Sequence, residues 1–555
     1  MAKYLTDELE LQSVADAIRA KGGTSESLAF PAGFVSAIED IPTGGGSSVA
    51  SAKDVNFRDY DGTITNSYTK EEFANLTEMP ANPSQEGLTA QGWNWSLAKA
   101  KAYVAKYGKL EIGQIYTTDD GKTRIYIHLE KGRTSPMLGV CPNGTVDVDW
   151  GDGTTHDTLT GTSLTTAKWT PNHNYAAPGD YVIKLTITGS MGFYGSSLSN
   201  QYAGLLRFSS SSDTRNRIYQ NAIQRVKISS DVTYIGTYAF YFCQNLTSIN
   251  IPNGVTSIGN YAFYCCYKLA SINIPNSVTS IGDFAFSDCD SLAFANIPDS
   301  VTNIGKSAFK NCYSLTSINI PERVTSIGDN TFNSCYNLAS ANIPDNVASI
   351  GEYVFSGCQN LTSINISNGV TNIGNHAFYC CYKLASINIP NSVTSLGPYI
   401  FENCYRLTSI SIPNGVTSIN SSAFASCRNL NSINISDSVT NIEASAFNSC
   451  YNLAFINIPN SITSIKSYTF SNCYNLASLN IPNGVTSIGN YAFQGCSGIS
   501  EYHFASTTPP TLSSTSIFNG IAADCIIYVP VGSLEAYQTA TNWSTYADKM
   551  QEEPV

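Results

Sequence analysis

Twelve cysteines stand 23 residues apart, from Cys243 to Cys496, each three positions after a phenylalanine of the same period, Phe240 to Phe493. Thiols in such register could ligate a soft metal, close disulfides or act as nucleophiles. Neighbouring coils of a stack lie roughly 5 Å apart, so distance alone does not exclude a bridge. Yet all twelve occupy one phase of one repeat, and the first residues lack the apolar run of a secretory signal, so reduced, small, buried side chains are expected. A uniform ladder also contains no privileged nucleophile. Cys265 and Cys380, each beside a ladder cysteine, and the isolated Cys141 and Cys525 fall outside the pattern.

The remaining chemistry-bearing residues do not converge. His128, His156, His173, His376 and His503 are scattered, and Asp59, Asp61 and Glu86 have no pairing partner in the sequence. Asp147, Asp149, Asp152 and His156 are spaced closely enough to raise a metal site, and Trp93 and Trp95 could stack a sugar, although core or interface aromatics fit them better. No GxSxG, P-loop, HExxH or paired CxxC motif is present. The expectation is a protein without catalytic, cofactor or metal residues. A net charge of −12, with no run of Lys or Arg, removes the electrostatic basis for nucleic-acid binding. No stretch of about 18 apolar residues points to membrane insertion.

These residues need elements to position them, and the period names the elements. At 555 residues, 42% hydrophobic and 13% charged, the chain is globular and too long for one core. A period of 23 held without insertion requires a solenoid of near-identical coils. Counting from Phe, Leu at +6, Ile at +9 and +11, Val at +15 and Ile at +18 recur and must face the shared interior. SINIP supplies one strand per coil, with Ile inward and Ser and Asn outward, and VTSIG a second. The outward Asn ladder, Asn250 to Asn480 with Ser411 interrupting, reads as a solvated sheet face. Twelve coils at about 4.8 Å stack to about 58 Å.

The consensus GxxAFxxCxxLxSINIPxxVTSI over residues 226–505 resembles the BspA-type leucine-rich repeats of bacterial surface and adhesion proteins. Residues 506–555, including IIYVPVGSLEAYQTATNWSTYADKM, resemble that family's closing segment and imply a strand plus a helical cap. In residues 131–190, Trp150-Gly151-Asp152-Gly153 with His173-Asn174-Tyr175 and Gly179-Asp180-Tyr181-Val182 resembles the polycystic-kidney-disease (PKD) β-sandwich. That resemblance makes the WGDG turn structural and leaves no metal there. Residues 191–225 are then a connector, and 53–130 a mixed α+β domain with a helix around Ser96 to Lys106 and a β-hairpin about Asp119-Asp120-Gly121. The fold class is thus multidomain and mainly β.

Residues 1–42 read as a helical hairpin with Leu11, Val14, Ile18, Phe34 and Ile38 on its apolar stripes, too small to bury a core alone and so an anchor for another chain or for self-association. A Gly/Ser linker, 43–52, follows. LTDELELQSVADAIRAKGGTSESLAFPAGFVSAIEDI resembles the N-terminal segment of phage tail structural proteins, which implies tail or baseplate partners and a homo-oligomeric virion protein assembled in the host cytoplasm. In that reading the solenoid presents Tyr267, Tyr313, Tyr336, Tyr382, Tyr405, Tyr451 and Tyr474, all at +4, to a bacterial surface glycan or protein. The same tyrosines could instead stack as a ladder that binds nothing. A bacterial cell-surface adhesin and a non-binding tail scaffold are the alternative functions.

Overall fold

The computed structural model describes residues 53–195, 205–208 and 221–554. The candidate anchor residues Leu11, Val14, Ile18, Phe34 and Ile38, the linker and most of the connector lie outside the described residues.

A four-stranded sheet opens the described chain, in the order β2 (Ile64–Tyr68), β1 (Val55–Arg58), β4 (Leu110–Thr118), β3 (Leu88–Trp93). Two helices accompany it. Helix α1 (Lys70–Ala74) starts with a capping box between Thr69 and Glu72. Helix α2 (Leu97–Tyr107) begins after Ser96 and stops at Gly108, whose φ of 85° the helix cannot continue. Its Ala100 and Val104 pack with Val55, Phe57, Phe73 and Trp95 in a small separate core.

The hairpin expected about Asp119-Asp120-Gly121 does not form. Strand β4 and strand β5 (Thr123–Leu129) flank that turn, but β5 pairs antiparallel with β9 (Gly179–Phe193) and with β11 (Ile223–Lys227) instead. Ile125, Ile127 and Leu129 alternate inward and are buried in the main core, so tertiary burial outweighs the local turn signal.

Strand β6 (Pro136–Asp149) pairs with β9 and with β7 (Asp157–Thr162), and its first residues reach β8 (Lys168–Trp169) and β10 (Leu206–Phe208). At the WGDG turn Trp150 is buried, its indole Nε1 donates to Asp157 at 2.8 Å, and its ring stacks on His173. Gly151, at φ 76°, passes so close to Val182 that a Cβ would lie 2.3 Å from its carbonyl oxygen.

These strands run into the solenoid without a break. The end of β9 pairs parallel with β12 (Val232–Ile235), the first short strand of the repeat, and Phe193 packs on Phe240 with ring centroids 5.2 Å apart. Thus β5 and β9 cover both first strands of the solenoid, where a stack would otherwise end in an open edge. About 14 coils follow. Most contribute an SIN-type strand and a two-residue strand such as SI or NI, and many of these pair in parallel with the coil 23 residues on, as Ile258 with Ile281 and Ile281 with Ile304; Ser386–Asn388 is not a regular strand.

The interior is the expected one. Phenylalanine rings stack from coil to coil with centroid spacings such as 5.1 Å for Phe263–Phe286 and 5.9 Å for Phe470–Phe493. The ladder cysteines are free and buried, and each Sγ from Cys266 onward donates to the carbonyl of the Phe 26 residues earlier, as Cys266 to Phe240 at 3.3 Å. Burial holds these thiols well above their ordinary range, Cys289 and Cys450 among them. The far end closes with strand Ile526–Val529, helix Leu534–Thr539 and strand Met550–Glu552. Tyr537 and Trp543 are buried beneath it.

Candidate functional site

The outward residues of the SIN strands form one continuous face, and half of it is not solvated as the sequence implied. Asn250, Asn273, Asn296 and Asn319 are buried, Asn342 is half-buried, and Asn365, Asn388, Asn434, Asn457 and Asn480 are exposed. The burial is the work of residues 53–118. Strand β4 lies against the SIN strands that begin at Ser271, Phe294 and Ser317. Asn250 Nδ2 donates to Tyr116 O at 2.9 Å and Asn273 Nδ2 to Gln114 O at 3.0 Å, so successive coils bond alternate carbonyls of one strand. Gly113 permits the approach, since a Cβ there would stand 2.5 Å from Asn273 Oδ1.

Other residues fix the rest of the footprint. Asn94 donates to Ile274 O and Asn296 O and accepts from Gly113 N at 2.7 Å. Ser271 Oγ donates to Tyr60 O. Arg58 lies over the ring of Phe294, 3.2 Å from its centroid. At the rim, Lys99 pairs with Asp299 at 2.7 Å, and Lys106 with Glu322 at 3.0 Å and Asp345 at 2.9 Å. Burial raises the Tyr103 phenol, whose hydroxyl donates to Ile320 O, and likewise raises the Asp59 carboxyl.

Beyond Asn342 nothing in the described chain lies over the face. A groove of about 720 Å³ runs across residues 363–457 and is lined by exposed Ser386, Ser409, Ser432 and Asn434, the inward-leaning Ile410 and, at its end, Phe455. Phe455 is 61% exposed, the most exposed large apolar side chain among the described residues. A second groove of about 480 Å³ continues over Asn457 and Asn480 to His503, which contacts Glu553 at 2.9 Å and stacks on Tyr528.

The candidate tyrosines lie elsewhere on the coil, and six of the seven stack in pairs. Tyr313 pairs with Tyr336, Tyr382 with Tyr405, and Tyr451 with Tyr474, at centroid distances of 4.8 Å, 4.9 Å and 5.0 Å. Arg428 fills the gap in the last four rings, 4.4 Å from the Tyr405 centroid and 5.6 Å from that of Tyr451. Tyr336 and Tyr474 are exposed and the others half-buried, Tyr267 included. Tyr382 is pushed up to about 12, first by its hydrogen bond with Cys380 and then by burial. A further column that sequence reading missed stands two residues before Phe, with Tyr353, His376 and Tyr399 stacked at 4.4 Å and 4.6 Å.

Of the possible metal ligands, His156 contacts Asp147 at 2.8 Å and Asp149 at 3.8 Å, whereas Asp152 is turned to His173. Among the described residues no group of three His, Cys, Asp or Glu is placed to hold a metal ion, and no helix is long and apolar enough to cross a membrane. Trp95 is buried in the small core, and Trp93 donates to Pro80 O.

A 23-residue coil with two parallel strands and an interior Phe column defines a leucine-rich-repeat solenoid. The chain belongs to the BspA type leucine rich repeat family, which matches residues 215–339, 325–454 and 418–520 and so spans more than half of the 555. No curated protein matches it significantly. Among solved structures it is similar to a leucine-rich repeat protein from Bacteroides ovatus, with 29% identity over 57% of this chain and 97% of that one and a TM-score of 0.40. It is also similar to a leucine rich cell surface protein from Faecalibacterium prausnitzii, with 26% identity over 67% of this chain and 98% of that one and a TM-score of 0.41.

Proposed function

We propose that the protein is an adhesive recognition protein of a bacterial surface, in which the solenoid binds and does not catalyse. The observation that carries this reading is the half-open strand face: the chain covers coils up to Asn342 with its own domain and leaves a groove from 363 to 457, ending on an exposed Phe455. Membership of a family that the sequence resemblance connects with surface and adhesion proteins supports it. Strands 136–193 continue the solenoid's sheets and so act as its N-terminal cap rather than as a free spacer.

A second reading, a virion tail adhesin anchored through residues 1–42 in a homo-oligomer, is carried by the resemblance of that segment to phage tail proteins. Immunogold electron microscopy with an antibody against residues 226–505 separates the two. Gold on the cell envelope supports the surface adhesin; gold confined to phage tails after prophage induction replaces it with the virion protein.

A further inference from the structure

The covered half of the strand face is a worked example of what this face binds, and the open half repeats its chemistry. At the +8 position, where most coils carry Ser, only the coils of Phe294 and Phe455 carry Phe among residues 248–478. Phe294 is capped by the guanidinium of Arg58. Phe455, seven coils on and in the same register, has no such cap among the described residues and is 61% exposed. The Asn column runs past both. Where it is covered, Asn250 and Asn273 donate to main-chain carbonyls of an extended strand, while Asn296 donates to Asn273 and Asn319 to Ile297 O; where it is open, Asn434, Asn457 and Asn480 are exposed.

We propose that the open half, from Ser363 to Asn480, docks an extended segment of a partner protein, its carbonyls bonded by the Asn amides and an arginine of that segment seated on Phe455. The inference rests on the recognition role above and names the partner's chemistry. The open column continues the interface made by β4, where two successive Asn already bond alternate carbonyls of a strand, and that favours a peptide. The rim differs in a way that sets the partner's charge. Asp299, Glu322 and Asp345, at +13, receive Lys99 and Lys106 on the covered half. On the open half that position is Asn368, Asn391, Asn414, Asp437 and Asn460. A partner therefore needs one guanidinium over Phe455 and has a single acidic rim residue, Asp437, for a second basic group. Arginine suits the ring better than lysine, because its flat, weakly hydrated cation stacks on an aromatic face.

The test uses the purified full chain and a synthetic library of capped peptides as long as β4, nine residues. The expected result is enrichment of peptides that carry arginine, with binding about tenfold weaker to the Phe455→Ser variant. Serine is the residue most coils carry at this position, so that variant should keep the circular dichroism and melting of the parent. Asn434→Leu with Asn457→Leu, both at exposed sites, should weaken the same peptides by removing their amide donors. No enriched peptide, enrichment without arginine, or equal binding to Phe455→Ser overturns the proposal. A parallel glycan library that binds the parent and loses the Phe455→Ser variant also overturns it, and makes the face a carbohydrate surface. Peptide binding by a protein that gold labelling places on phage tails would sink the cell-surface reading and leave this one standing.

Discussion

The guanidinium of Arg58 lies 3.2 Å from the ring centroid of Phe294, a residue 236 positions away, while its Nε bonds Glu111 and a terminal nitrogen donates to Gly62 O at 2.8 Å. The cation is thus fixed by its own domain before it meets the solenoid. That preorganisation lets the pair help set the register of the domain on a repetitive face, alongside the bonds of Asn94, Asn250 and Asn273.

Asn94 is the pivot of the same interface. Replacing it with Ala strands the Gly113 N–H and Ile274 O, whereas Asn296 O keeps its bond from Ile274 N, at a cost of about 2 to 4 kcal/mol. Hydrogen exchange should accelerate first in Leu110–Thr118 while the solenoid amides beyond Asn365 keep their protection. Arg58→Ala should act in the same direction by about 3 to 5 kcal/mol, because it also leaves the largely buried Glu111 without its ion-pair partner.

The phenylalanine column makes the interior nearly one-dimensional. Phe355 stacks between Phe332 and Phe378 at 5.6 Å and 5.7 Å, so Phe355→Ala should cost about 3 to 5 kcal/mol. In urea the loss should appear as a separate early transition of the neighbouring coils, since each coil contacts only its neighbours.

The buried thiols predict alkaline instability. Their folded pKa values stand well above the ordinary value of about 8.5, so above that pH the unfolded chain releases protons that the folded chain retains. Stability is complete below about pH 8.5 and falls as pH rises, by up to about 1.4 kcal/mol per pH unit for each thiol. The urea midpoint should therefore drop steeply between about pH 8.5 and 10, and a Cys404→Ala, Cys427→Ala variant should show a shallower fall.

The tyrosine column is a second surface on the same coils. If it contacts the partner, replacing Tyr313, Tyr336 and Tyr382 with Ser weakens cell binding and leaves circular dichroism unchanged. Unchanged binding assigns recognition to the strand face alone.

Period, interior and closing cap were legible because each is local. Phe and Cys in fixed phase dictate the column, and a hydrophobic strand before Leu534–Thr539 dictates the cap. The docked domain was not legible, because it depends on contacts such as Lys106 with Glu322 across more than 200 positions. A trace of it was present: acidic residues at +13 in three consecutive coils, Asp299, Glu322 and Asp345, where the repeat otherwise favours Asn. The Asp119-Asp120-Gly121 turn misled for the converse reason, since a strong local signal says nothing about which sheet the next strand joins.

Site-directed thiols measure the asymmetry of the strand face. Ser271→Cys places a thiol under the docked domain, and Ser386→Cys, Ser409→Cys and Ser432→Cys place one in the groove. Native thiols are buried except half-buried Cys380, so the background is small and known. The expected result is rapid labelling by a charged thiol reagent at 386, 409 and 432, and labelling at 271 only after denaturation. Equal native rates at all four positions would contradict the half-open face.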